Sequence, residues 1–189
     1  MRFRTRAALL AVLTLSVAGC DDAEAPDSPG AAPTAPFSPR PLALPSVGTG
    51  EACPTATPRR GPSDDASVVL GDGPLHPVAH YFRNGATLEL RPDDRQPDGS
   101  YVKKVRWVGV GYEGPVVLRA DRIDGPGTAS ARFSYRGTPG PDGFSAELPA
   151  RDNDLPATTT VSGPGCYAYQ VDGASFSETI VFRAVTVPK

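Results

Sequence analysis

The chain has 189 residues, a formal net charge of −2, and 22 prolines and 20 glycines beside a single tryptophan. That balance offers no basic face for a phosphate backbone, which argues against nucleic acid as a partner. Two histidines and three cysteines leave few groups for proton transfer near neutrality or for metal ligation.

At the N-terminus, Arg2, Arg4 and Arg6 precede an apolar run from Ala7 to Leu15. Small residues then lead into Val17-Ala18-Gly19-Cys20. A basic start, a short apolar core and small residues at its end mark a secretory leader, and the run is shorter than the ~20 apolar residues that span a bilayer. The bland alternative is an ordinary leader that leaves Cys20 as a free thiol. The segment resembles the lipobox of bacterial lipoproteins. The resemblance implies that residues 1–19 are a signal peptide and that Cys20 is the lipidation site. The mature protein is then extracytoplasmic and tied to the bacterial membrane by acyl chains, each buried methylene contributing about 0.8 kcal/mol. Removing residues 1–19 takes three arginines from 19 basic residues and no acid from 21, so 16 face 21, a net of about −5.

Residues 20–52 are rich in Pro and Ala, with almost no aliphatic periodicity. Such a segment is expected to be a disordered tether, stiffened by polyproline II geometry at ~3.1 Å per residue. Folded structure is expected over residues 53–187, enough for one domain with its own core.

Helical periodicity is absent from that domain, and Pro and Gly interrupt it too often for helices of ordinary length. Strands are expected at Ser67–Leu70, Pro77–Phe82 and Ala86–Leu90, with Asn84-Gly85 as a tight turn before the last. Tyr101–Val110 is the best strand, with Tyr101, Lys103, Val105 and Trp107 on one face. Further strands follow at Pro115–Arg122, Ala129–Tyr135, Phe144–Leu148 and Ala157–Ser162. Cys166–Val171 and Ser175–Val185 close the chain as a hairpin turning at Asp172-Gly173. The spacing of these strands predicts an all-β sandwich or barrel.

The stretch Gly163-Pro164-Gly165-Cys166-Tyr167-Ala168-Tyr169-Gln170-Val171 resembles the F strand of immunoglobulin-like domains. The resemblance implies an immunoglobulin-like β-sandwich. Tyr167 would be the corner tyrosine bonded back to the preceding turn, Tyr169 would hold the usual core cysteine position, and Trp107 would pack against it from the C strand. The motif departs from the antibody pattern in lacking the core cysteine.

With Cys20 lipidated, Cys53 and Cys166 remain as an even pair in an exported protein, where a disulfide is expected. The bridge would close a long loop and contribute about 4–5 kcal/mol in the chain-entropy model.

Candidate chemistry is sparse. His76 and His80 lie four apart in a β-type run and can share a strand face, but a metal site would need a third ligand. Asp93, Asp94 and Asp98 lie in one loop before Gly99, and the closing glutamate of a calcium loop is missing at Val105. No nucleophile elbow and no phosphate-binding loop occurs. No catalytic set, metal site or cofactor is therefore assigned. The aromatics Tyr81, Phe82, Tyr101, Trp107, Tyr112, Phe133 and Tyr135 can line a binding face. Among them Tyr112, between Gly111 and Glu113-Gly114, is expected to be exposed. The reading is a non-catalytic binding or structural module of the bacterial envelope, using Tyr112 and Asp93, Asp94 and Asp98. Its partner would be an envelope protein, peptide or glycan. The alternative is a hydrolase or metal-dependent enzyme using His76 and His80.

Overall fold

The computed structural model describes residues 37–83 and 85–188. The leader, Cys20, the N-terminal part of the tether and Asn84 of the expected turn lie outside the described residues. The unit that follows, residues 36–189, is all-β. Its twelve strands form three sheets, and no α-helix occurs among the described residues.

Strands β1 (Arg59–Ser63) and β2 (Ala66–Val69) make a small ribbon. The four-stranded sheet uses β3 (Leu75–Pro77) and β5 (Tyr101–Gly109), with β4 (Thr87–Leu90) between them in sequence but placed in the other large sheet. That second sheet has six strands. It takes β4, β6 (Gly114–Arg122), β8 (Thr138–Gly140), β9 (Gly143–Leu148), β11 (Gly165–Gly173) and β12 (Ser177–Thr186). Strands β7 (Ala129–Phe133) and β10 (Asn153–Val161) complete the first sheet. The spatial orders are β3-β5-β10-β7 and β4-β12-β11-β6-β9-β8. Every pairing is antiparallel except β12 with β4.

The inner residues of both large sheets belong to one core, with Val105, Trp107, Phe133 and Leu155 from one and Leu118, Tyr167, Tyr169 and Phe182 from the other. Period-two alternation puts them there, since successive side chains of a strand point to opposite faces. Trp107 meets Phe133 and Tyr169 edge-on, and Phe182 stacks on Tyr169. The Tyr167 hydroxyl donates to the Gly163 carbonyl at 2.8 Å, the bond back to the preceding turn expected of a corner tyrosine. Trp107 lies on β5, in the sheet opposite Tyr169, and packs against it as expected of an opposing strand.

Two local expectations change. The run Pro77–Phe82 breaks after Pro77 into a 3-10 turn over Ala79–Tyr81. Proline at the end of β3 removes a ladder donor, and the Tyr81 and Phe82 amides donate instead to Val78 and Ala79 carbonyls. Strands β1 and β8 arise outside the expected strands, at Arg59-Arg60-Gly61-Pro62-Ser63 and Thr138-Pro139-Gly140. Both are edge strands, where a missing donor costs little.

The outer face of β11 shows why part of the expected tether is docked on the domain. Cys166, Ala168, Gln170 and Asp172 alternate with the core tyrosines, yet all four are buried. Residues 40–56 cover them. The Gln170 side chain donates to the Pro41 carbonyl at 3.1 Å and accepts from the Ala43 amide at 2.7 Å. The Val47 amide donates to the Ile123 carbonyl at 2.7 Å, and that of Ala56 to the Val181 carbonyl at 2.8 Å. Leu44 and Val47 rest on Ile123, Cys166, Ala168 and Val181. The Cys53–Cys166 disulfide, with Cα atoms 5.6 Å apart, pins the strap to the sheet and closes a loop spanning 113 residues. The expected boundary at residue 53 therefore falls inside a docked strap.

Candidate functional site

A concavity of about 750 Å³ opens beside strand β7. Four segments build it. Strand β7 supplies one wall through Ala129–Arg132, the β8–β9 hairpin another through Pro139–Phe144, and the strap a third through Pro39–Leu42. Leu118, Arg119 and Ala120 of β6 form its floor. A second hollow of about 580 Å³ lies against the C-terminal end of β7, beside Tyr135 and Arg136. Arg132, Pro139 and Phe144 line both hollows, so together they run alongside the strand.

Strand β7 is an edge of its sheet, paired only with β10. Its register decides where the main-chain groups point. The Ser134 amide donates to the Pro156 carbonyl at 2.7 Å, and the Ser162 amide donates to the Thr128 carbonyl at 3.0 Å. Residues 128, 130, 132 and 134 thus exchange bonds with β10. Ala129, Ala131 and Phe133 turn their N–H and C=O groups the other way. No strand among the described residues takes them up.

The charges around this edge are positive. Arg40, Arg132 and Arg136 are exposed and none holds a carboxylate among the described residues. Asp142 is the acid among the lining residues of the first hollow. Arg119 is occupied, since its guanidinium is paired with the fully buried Asp172 and donates to the Arg40 carbonyl at 2.7 Å. Tyr135 is 91% exposed beside Arg136. Such a surface can hydrogen-bond a main chain, hold carboxylates and cover apolar groups.

The residues expected to bind lie elsewhere and are otherwise engaged. Tyr112 is buried, which corrects the expectation of an exposed loop tyrosine. Its hydroxyl donates to the Pro115 carbonyl at 2.6 Å and accepts from the Ala174 amide at 3.0 Å, and its ring meets Phe176 edge-on. Gly111 and Gly114, both at positive φ, bend the loop so that the ring folds inward. Asp94 accepts from the Arg91 amide at 2.8 Å and pairs with Lys103. Asp98 accepts from the Ser100 amide at 2.9 Å and its hydroxyl at 2.7 Å, bonds that hold its carboxyl below the usual range. Asp93 lies beside Asp94 in the 3-10 turn Pro92–Asp94. These carboxylates close a turn, and no group of three metal-ligating side chains occurs among the described residues.

The two histidines do not share a strand face. His76 sits on β3, at the opposite edge of the sheet from β7, with its Nδ1 buried and without a partner. Burial pushes its imidazole below the ordinary range. His80 falls in the 3-10 turn and stacks on the Tyr81 ring at 4.2 Å. The small hollow beside His80 is lined by Ser67, Val68 and Ala79 among others, with no carboxylate.

No protein-family model matches this chain, and no curated protein or solved structure is detectably similar to it. The groove along β7 was not legible as a site, because its walls come from four separated segments. One partial signal existed: Tyr135 and Arg136 stand in the turn Ser134-Tyr135-Arg136-Gly137, where an aromatic has little reason to be buried.

Proposed function

We propose that this protein is a lipid-anchored, extracytoplasmic module of the bacterial envelope, with an immunoglobulin-like sandwich that binds a protein partner without catalysis. The observation that carries the reading is the open edge of β7 beside two adjoining hollows that share Arg132, Pro139 and Phe144. Rigid sheets presenting an unpaired edge and a few unpartnered charges are suited to docking an extended segment. The leader ending in Cys20 supports the anchor, and the prolines between Cys20 and the docked strap suit a spacer. The sandwich reading is supported by two sheets sharing one core, by the Tyr167 corner, and by Trp107 and Tyr169 meeting where the two sheets face each other.

Two measurements in living cells test this reading. A fatty-acid label should appear on the natural chain and vanish in Cys20→Ser; equal labelling would remove the anchor. A photo-crosslinking side chain placed at Tyr135 should give a discrete adduct that the same group at the exposed Val68 does not. Indistinguishable patterns at the two positions would overturn the binding face.

A further inference from the structure

We infer that the partner segment is an acidic, extended peptide that adds to the four-stranded sheet as a fifth strand along β7. This deepens the binding-module reading and rests on it. Four strands end the two large sheets, and β7 is the longest of them. Strands β3 and β8 are three residues each and contain Pro77 and Pro139. Strand β4 has four residues and carries Glu89, which is paired with Arg83 and Arg91. Short length, proline and fixed charge are the usual protections of a sheet edge. Strand β7 has five residues, Ala129-Ser130-Ala131-Arg132-Phe133, and no proline. It presents three outward sets of main-chain groups, at Ala129, Ala131 and Phe133.

An added strand alternates its side chains between two faces. One set would lie beside Ser130 and Arg132, which are exposed on β7. The other would enter the hollow against Ala120 and Phe144. Small residues at Ala129 and Ala131 leave that approach open. Charge selects the peptide. Arg59, Arg83, Arg106, Arg119 and Arg122 each hold a carboxylate within the domain. Arg40, Arg132 and Arg136 line the β7 hollows and hold none among the described residues, whereas the other exposed arginines without a carboxylate, Arg60, Arg95, Arg151 and Arg183, line neither hollow. The mature chain is acidic overall, so this positive edge is a local exception, and peptide carboxylates would complete it.

The test uses the detergent-solubilised full-length protein and a short fluorescent peptide alternating glutamate with valine. Anisotropy should show saturable binding, weakened by salt. The same peptide with glutamine for glutamate should bind roughly tenfold more weakly, the loss expected for charged hydrogen bonds. Arg132→Ala with Arg136→Ala should erase the difference between the two peptides. Hydrogen exchange should slow at the amides of Ala129, Ala131 and Phe133, and peptide N-methylation at the bonding positions should abolish that protection. Equal binding of both peptides would overturn the acidic preference. Failure of either peptide to protect the β7 amides would overturn strand addition. In both cases a persisting Tyr135 crosslink would leave the binding-module reading standing, whereas its loss would sink that reading itself.

Discussion

Trp107 and Tyr169 meet edge-on across the core, ring centroids 5.1 Å apart, each fully buried and each from a different sheet. The Tyr169 hydroxyl is satisfied at 2.8 Å by that of Thr159, and burial raises its proton affinity well above the usual phenol range. The Trp107 indole N–H has no partner, so its contribution comes from apolar contact and ring geometry. Trp107→Ala should cost about 3–5 kcal/mol, as expected for removing a core tryptophan. Urea unfolding followed by circular dichroism measures this. A loss of no more than about 0.5 kcal/mol, the usual range for a surface change, would contradict the core role.

Tyr112 holds two segments together with one hydroxyl. Tyr112→Phe keeps the ring against Phe176 and removes the bonds to Pro115 and Ala174. Stability should fall by about 1–3 kcal/mol, because a main-chain donor and acceptor lose their partner. Crosslinking from Tyr135 should be unaffected. Selective loss of the crosslink at unchanged stability would restore Tyr112 as a binding residue.

Asp172 is fully buried, paired with Arg119 and bonded by the Gln170 amide at 3.1 Å. Asp172→Asn leaves the Arg119 charge beneath the strap without its counter-ion. Breaking a buried pair in this way costs about 3–5 kcal/mol. The Ala43 amide, held by Gln170, should exchange with solvent faster than the Val47 amide in the variant. Uniform acceleration across the chain would indicate general loosening and not release of the strap.

Acidification should act through His76. Its imidazole is pushed below its ordinary value of about 6.5, mainly by burial. The unfolded chain therefore takes the proton first. Stability is complete above about pH 6.5 and falls as the pH drops from there through the folded-state value. Glu178 acts in the opposite sense. Burial among Gly71, Asp72 and Gly73 raises its carboxyl above 4.5, so the folded state holds that proton more tightly and protonation there favours folding. His76→Gln should flatten the decline of melting temperature just below pH 6.5. An unchanged slope in that variant would assign the decline to other groups.

Much of the fold is local in origin. Alternation over Tyr101–Val110 set Val105 and Trp107 on one face, and the resemblance of Gly163–Val171 to an F strand pointed Tyr167 and Tyr169 inward; all four are buried, as large apolar side chains leave water. Cysteine parity sufficed to pair Cys53 with Cys166. Glycine at Gly99 and Gly111, at positive φ, marked bends whatever surrounds them.

Tertiary structure decided the rest, for reasons that no single segment contains. Tyr112 is buried because Phe176 and Ala174, about sixty residues away, close over it. The proline-rich strap is ordered because Gln170 and Ile123 present bonding groups at the right height on a distant face. Composition predicts an undocked coil whenever such partners are out of view. The parting of His76 and His80 is the exception, because Pro77, where the ladder ends, lies between them in the same segment. The groove exists only because β7 is left at an edge. Whether a strand is central or terminal depends on every other strand in the sheet, and its own five residues carry no record of it.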